Sequence, residues 1–328
     1  MSSDGLAPLP ERITDWSTFR QLLLEMARHA VYRLEAVARL EFPPYVDSIE
    51  KAVVRAHMVR IYKSLDAYVA LLEIGRTDSA PALGRTMMEA VINLEYLLNA
   101  DDVAAVSRAF ICRSVEFLLK PIDYFEGQVT VPENPDHPSD VEIEAFLKSI
   151  APMVDLGVTA SMIVQRAGLV ESGQDARDFL QSSAGKAYLH AWPKSIAGRA
   201  QTDTARAIYN IWFANGSLTT HLNWSTLEQQ DLWTHEDNAA KCENSILDER
   251  DVIEAPTWCI NTALRFAHMF AGNEEASALE RELQTLEDWF LAADQLKRSE
   301  FERQVDEPED VANEENLEDE PGWPDVTA

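Results

Sequence analysis

Arg85, Glu89 and Asn93 recur at every fourth place in GRTMMEAVINLEYLL, residues 84 to 98, an otherwise apolar stretch. On a helix this spacing stacks them on one stripe. At about 100° per residue, with Arg85 at zero, Glu89 falls at about 40°, Asn93 at about 80°, Tyr96 at about 20° and Ile92 at about −20°. Leu83, Met87, Ala90, Val91, Leu94, Leu97 and Leu98 fill the opposite arc as a core face. Tyr96 and Ile92 are out of place in a plain solvent stripe, and Arg preceding Glu by four is the weaker order for an exposed helical ion pair. The stripe therefore predicts a second, partly buried contact surface. Two chemistries fit it. Arg85 and Glu89 can satisfy each other between packed helices, a pairing that need not stabilise the fold on balance. Alternatively the guanidinium takes a phosphate or a developing negative charge, Glu89 orients it, and Asn93 touches the substrate.

A second set lies in NGSLTTHLNW, residues 215 to 224. If helical, it sets Ser217 and His221 one turn apart on one face. Histidine is the side chain best suited to proton transfer near neutral pH, and a serine beside it can orient the ring or bind an oxyanion. Tyr209, Trp212, Phe213 and Trp224 supply rings that can stack on a base, although aromatics at helical spacing also make ordinary core. A hydrogen-bonded core histidine is the plainer reading of His221. The expected catalytic set is Arg85, Glu89, Ser217 and His221, with Asn93, Tyr209 and Trp224 contacting substrate.

Other chemistries lack their residues. There is no GxSxG elbow for a Ser/His/Asp hydrolase, no paired ExxH for a helical di-metal site, and no Walker A or GxGxxG phosphate cradle. Glu25 and His29 stand one turn apart but read as a surface pair, and Asp136 with His137 matches nothing specific. Cys112, Cys242 and Cys259 are far apart, without CxxC or Cys/His spacing, so they are expected to be reduced, buried thiols. No metal and no cofactor are expected.

Positioning these residues falls to helices. Strand alternation is scarce and helical spacing recurs almost throughout the 328 residues, so the fold is expected to be all-α, an antiparallel helical bundle. After a flexible stretch over residues 1–12, a first helix is expected from about Trp16 to Leu40, capped by Thr14 or Asp15 and stopped by Pro43 and Pro44. A second runs from about Ser48 to Ile74 and ends on Gly75. A third, capped by Asp78 or Ser79, carries the Arg85 stripe. A fourth opens at Asp101 or Asp102 and ends before Pro121, making residues 13–120 an N-terminal bundle. Residues 121–139 hold four of the fifteen prolines and read as a surface loop. Helical pattern resumes in DVEIEAFLKSI, weakens over 152–200, returns around Tyr209, and continues through helices from Asp251 to Phe270 and Glu274 to Phe301. Residues 140–303 are expected to complete the same core, and 304–328 to form a disordered acidic tail.

The formal net charge is −28, from 28 basic and 56 acidic residues. Nonspecific nucleic-acid binding draws its affinity from neutralising phosphates, so an extended nucleic-acid groove is not expected. From Arg298 onward the chain carries 12 acids and two bases, which leaves −18 on the body. The N-terminus lacks a basic segment followed by an apolar core, and no apolar run approaches the roughly 20 residues a bilayer requires. A cytoplasmic protein without membrane contact is expected.

KSLDAYVALLEIGRTDSAPALGRTMMEAVINLEYLL, together with WPKSIAGRAQTDTARAIYNIWFANGSLTTHLNW, resembles a bacterial family catalogued only as a domain of unknown function. The pattern is an RxxxEA helix followed by a Y...Y/F...S...H helix. Arg85, Glu89, Trp192, Tyr209, Phe213, Ser217 and His221 carry it, over about residues 63 to 224. The resemblance implies a helical bundle in which Arg, Glu, Ser and His converge, and an association with phage-defence or toxin systems. More distantly the chain is similar to HEPN domains, helical bundles that often dimerise and include metal-independent ribonucleases built on Arg followed by four to six residues and His. Here Arg265 precedes His268 by three, Arg28 abuts His29, and Asn215 stands six before His221, so Arg85 would have to come from another helix. The expected function is a defence-associated, RNase-like or nucleotide-acting enzyme with RNA or nucleotide as substrate. The alternative is a noncatalytic interaction or regulatory module with a protein partner or a second copy of itself.

Overall fold

The computed structural model describes residues 6–76, 80–126, 129–132, 135, 139–210, 233–234, 239–240, 249–270 and 273–306. Ser217, His221, Trp224, Phe213, Cys242 and the acidic tail from 307 onward lie outside the described residues. The described part is all-α: α1 Trp16–Arg39, α2 Ser48–Glu73, α3 Ala80–Leu98, α4 Val103–Glu126, α5 Asp140–Arg166, α6 Ala176–Gln181, α7 Ser183–Ala191, α8 Ile196–Arg199, α9 Asp203–Ile208, α10 Glu249–Ala267, a short 3₁₀ turn His268–Phe270, and α11 Glu274–Asp306. One two-residue ladder pairs Trp233 with Ala240 and Thr234 with Ala239, antiparallel.

Local chemistry sets most helix ends. The Asp15 carboxylate accepts from Ser17 N at 2.9 Å and Thr18 N at 3.2 Å, and that of Asp47 accepts from Ile49 N at 2.8 Å. Each such cap contributes about 1 kcal/mol by satisfying amides that have no partner inside the helix. At the other end of α2, Gly75 adopts φ 74°, while Arg76 N donates to Leu71 O at 2.8 Å and Gly75 N to Leu72 O at 3.1 Å. This closure needs a left-handed residue, which glycine adopts without strain. Ser139 and Glu142 form a reciprocal capping box that starts α5.

Two helices run further than proline content predicts. α4 passes through Pro121 to Glu126, and α5 passes through Pro152 to Arg166, into a stretch where the helical pattern weakens. Proline removes one i to i−4 hydrogen bond in each. The freed carbonyls belong to Phe117 and Lys148, both on exposed sides of their helices where water can take them. Residues 6–12 are also more ordered than a flexible lead-in: Leu6 and Leu9 pack on the core, Trp289 Nε1 donates to Ala7 O at 2.8 Å, and Arg12 pairs with Glu300 at 3.1 Å.

α1, α2, α3, α10 and α11 surround the main core, built on Phe19, Leu23, Met58, Leu65, Met87, Phe266 and Phe290. α4 turns away and carries a second cluster with α5 and α6, around Cys112, Val115, Ala160, Val164 and Phe179. A small third cluster of Val53, Leu97, Ala109 and Trp192 joins α2, α3 and α4 to the segment after α7. Among the described residues one helix, α5, is long and apolar enough to cross a membrane by length and composition, with Asp155 near its middle.

Candidate functional site

The polar stripe of α3 faces the irregular segment between α7 and α8. Trp192, 2% exposed, is the plug of that segment. Its ring meets Tyr96 edge to face at 5.3 Å and Phe110 at 5.1 Å between centroids. Side chains from three helices hold the surrounding backbone. Tyr96 Oη donates to Ala191 O at 3.0 Å, and Arg113 Nη2 donates to Leu189 O at 2.5 Å. Arg199 Nη1 donates to Pro193 O at 2.7 Å and Lys194 O at 3.3 Å. Carbonyls of the last turn of α7 and of the non-helical residues after it thus find donors in side chains from other elements.

Arg199 is the hub. Its Nε donates to the buried Asn93 Oδ1 at 2.7 Å, and Nη2 lies 3.6 Å from the half-exposed carboxylate of Glu89. The guanidinium carbon also sits 5.4 Å from the Trp192 ring. Burial lowers the Arg199 pKa, Glu89 raises it, and Arg113 lowers it further. The group nevertheless stays charged, as Arg does throughout proteins.

Beside this clamp an open cleft of about 330 Å³ is lined by His57, Arg60, Thr86, Glu89, Asn93 and Phe110, among others. A second hollow of about 360 Å³ lies on the Arg199 and Tyr96 side, with Asp101, Asp102 and Thr202. His57 is buried, and its Nδ1 donates to Val53 O at 2.9 Å. Its ring rests on Phe110 at 4.8 Å. Burial lowers the His57 pKa; the Val53 carbonyl pulls it up and the Arg199 charge pushes it down. The neutral ring then carries its lone pair on Nε2, which makes no hydrogen bond among the described residues. An imidazole base at the wall of a cleft, with an exposed Arg60 at the rim, can accept a proton from a ligand whose negative charge Arg60 holds.

The lowered His57 pKa has a measurable consequence. The unfolded ring takes up its proton near the ordinary value of 6.5 and the folded ring only at lower pH. The stability contribution is therefore complete above that value and is lost as pH falls through it, with a limiting slope of about 1.4 kcal/mol per pH unit. His29, whose pKa burial and Arg33 also lower, adds a share of the same sign. His57→Leu is expected to make the urea midpoint markedly less sensitive to pH between about 6.5 and 5.5. A profile identical to that of the parent would assign the dependence elsewhere.

Of the sequence-predicted residues, Arg85, Glu89, Asn93 and Tyr209 are described. Glu89 and Asn93 meet at Arg199. Arg85 lies on the same helix, half-buried and engaged in an interaction. Tyr209 packs partly buried against the main core at the end of α9. Ser217, His221 and Trp224 fall outside the described residues. Of the surface pair, His29 accepts from Arg33 at 3.4 Å and Glu25 from Gln21 at 3.3 Å. Cys112 and Cys259 are buried free thiols, and burial pushes the Cys112 pKa up to about 12. Among the described residues no cluster of His, Cys, Asp or Glu is arranged to hold a metal ion.

Sequence reasoning missed His57, Arg199 and Glu95. His57 interrupts an apolar α2 face of Val53, Val54, Met58 and Ile61, and that interruption was the available signal. Arg199 stands within the quoted family segment with no periodic partner. Glu95 is completely buried on α3, where Thr262 Oγ1 donates to it at 2.9 Å and Arg265 Nη1 pairs with it. Arg265 Nη2 also donates to Asn99 Oδ1 at 2.6 Å.

Fold and site together define an all-helical protein whose polar α3 stripe clamps an ordered segment beside an open cleft. The chain belongs to DUF5677, a family of unknown function, whose model matches residues 51–239. No curated protein and no solved structure matches it.

Proposed function

We propose that the cleft between α2, α3 and α4 binds a nucleotide-type ligand, and that the protein is a defence-associated enzyme acting on it. The observation that carries this reading is His57: a neutral imidazole in the wall of a cleft whose rim holds Arg60. Arg60 takes the phosphate, the Thr86 hydroxyl and Glu89 supply polar contacts, and the Phe110 ring offers a surface for a base. His57 Nε2 serves as general base. In this reading Ser217 and His221 keep the roles expected of them from the sequence, and Arg85 balances phosphate charge.

The test is calorimetric titration with a panel of nucleoside mono-, di- and triphosphates, followed by turnover assays on the same compounds and on short RNAs. Binding that Arg60→Glu weakens at least tenfold is expected, with turnover that His57→Gln abolishes while binding persists. Turnover lost in His221→Ala but retained in His57→Gln would move the base to His221. Absence of binding to any of them would sink the reading.

A second reading rests on a different observation. Glu89 and Asn93 are already engaged by Arg199, which suits a noncatalytic interaction or regulatory module of a bacterial defence or toxin-antitoxin system. Intact nucleotides and RNA after prolonged incubation, together with a protein partner that protects the cleft from hydrogen exchange, would favour it.

A further inference from the structure

We propose that two copies of the chain associate through α5, packed antiparallel about a two-fold axis near Val154. α5 rests on α4 and α6 through Met153, Leu156, Ala160, Ile163 and Val164. On the opposite side, Ile143, Leu147, Val154 and Val158 are 40 to 55% exposed. At about 100° per residue these four fall within an arc of about 60°, a stripe about 23 Å long on a helix of about 40 Å. A continuous apolar stripe of that length is uncommon on a surface that meets only water.

Charge decides among the occupants. α5 starts with Asp140 and Glu142 in its first turn and ends with Arg166 in its last. An antiparallel second copy, with its axis at Val154, brings the second copy's Arg166 within about 3 Å along the axis of Asp140, the first-turn acid on the stripe's side of the helix, sets Ile150 opposite Val158, and opposes the two helix dipoles. A parallel copy would set like charges together at both ends. Gly157, where an added Cβ would meet nothing within 4 Å, leaves room for close approach near the axis. A bilayer fits less well: Asp155 stands exposed near mid-helix, where it would sit at bilayer depth, whereas at the rim of a helix pair it stays in water. The acidic segment after residue 306 is too poor in aliphatic residues to cover the stripe.

Sedimentation of the full chain over a dilution series is expected to show a dimer. Leu147→Glu with Val154→Glu is expected to give a monomer with unchanged circular dichroism, since both side chains are exposed. Under mild oxidation, Val154→Cys should crosslink above the parent, which supplies the background of its own three cysteines. Ile143→Cys should not, because antiparallel copies separate these positions by about 33 Å along the axis. A parent that is monomeric at every concentration, a dimer that survives the double substitution, or equal crosslinking at 143 and 154 would overturn the proposal. So would flotation of a monomeric parent with phosphatidylcholine vesicles that the double substitution abolishes, because the stripe would then serve lipid.

Discussion

Arg199→Ala is expected to destabilise the protein by about 3–5 kcal/mol, close to the loss seen when one partner of a buried charged network is removed. The pair with Glu89 contributes little to this figure. Its separation is 3.6 Å and the carboxylate is 45% exposed, so water screens most of the attraction. The loss comes from what is left behind. Asn93 Oδ1, 2.7 Å from the guanidinium, becomes a buried acceptor without a donor, costing about 1–3 kcal/mol, and the part-buried Pro193 carbonyl, also at 2.7 Å, loses its bond as well. Trp192 loses the cation stacked beside it, and a cavity opens at its edge. Arg199→Lys should recover only a minor part, because one ammonium cannot follow the fork that reaches Asn93 and Pro193 together. Urea unfolding measures the stability. Hydrogen exchange across residues 189–194 separates local release of the segment from a general loss. A change below about 1 kcal/mol in Arg199→Ala would remove the guanidinium from its place as hub.

The clamp bears on the cleft through Glu89 and Asn93, which belong to both. Arg199 fixes Asn93 from the side away from the cleft while the half-exposed Glu89 remains open to it. Rigid polar groups that are already partly satisfied favour a ligand that complements their fixed geometry. Weakening the clamp should therefore loosen the cleft wall.

How much of this was legible in the sequence depends on how local each signal is. The cap at Asp15 and the Gly75 terminus involve residues within a few positions of one another, and the sequence points to both; Asp47 and Ser139 cap their helices by the same local chemistry. Pro121 misleads because proline reads as a stop, and the weak pattern after residue 151 hides the rest of α5, whereas proline inside a helix costs one hydrogen bond whose carbonyl here faces water. The angular count on α3 flags the side occupied by Glu89, Asn93 and Tyr96, and that side lies against Trp192 and Arg199. It cannot supply the partner: Arg199 is 106 positions from Asn93. Glu95 is harder still. At about 280° from Arg85 it borders the apolar arc, where a carboxylate looks like the start of a solvent face. Its partners Thr262 and Arg265 lie 167 and 170 positions on.

Arg265→Ala is expected to cost about as much as Arg199→Ala, about 3–5 kcal/mol, for a different reason: it leaves a completely buried carboxyl without its charged partner. Thr262 would remain as a single neutral donor at 2.9 Å, too little to replace a guanidinium. The reverse substitution should be milder. In Glu95→Gln the amide keeps the Thr262 bond, and Arg265, whose side chain is 32% exposed, can turn toward water, so about 1–2 kcal/mol is expected. Removing both charges in Glu95→Leu/Arg265→Leu should recover more than about 1 kcal/mol relative to the sum of the single Leu substitutions, the mark of a coupled pair. If the single substitutions instead prove additive, the two side chains do not depend on each other. The pair also joins α3, inside the 51–239 family match, to α10 beyond it. A chain cut after residue 239 would expose the α3 face that α10 covers and strand Glu95 without Thr262 or Arg265. Such a fragment is expected not to fold, as its circular dichroism and resistance to protease would show, and the same fragment carrying Glu95→Leu should recover little, because the apolar cover of α10 would still be missing.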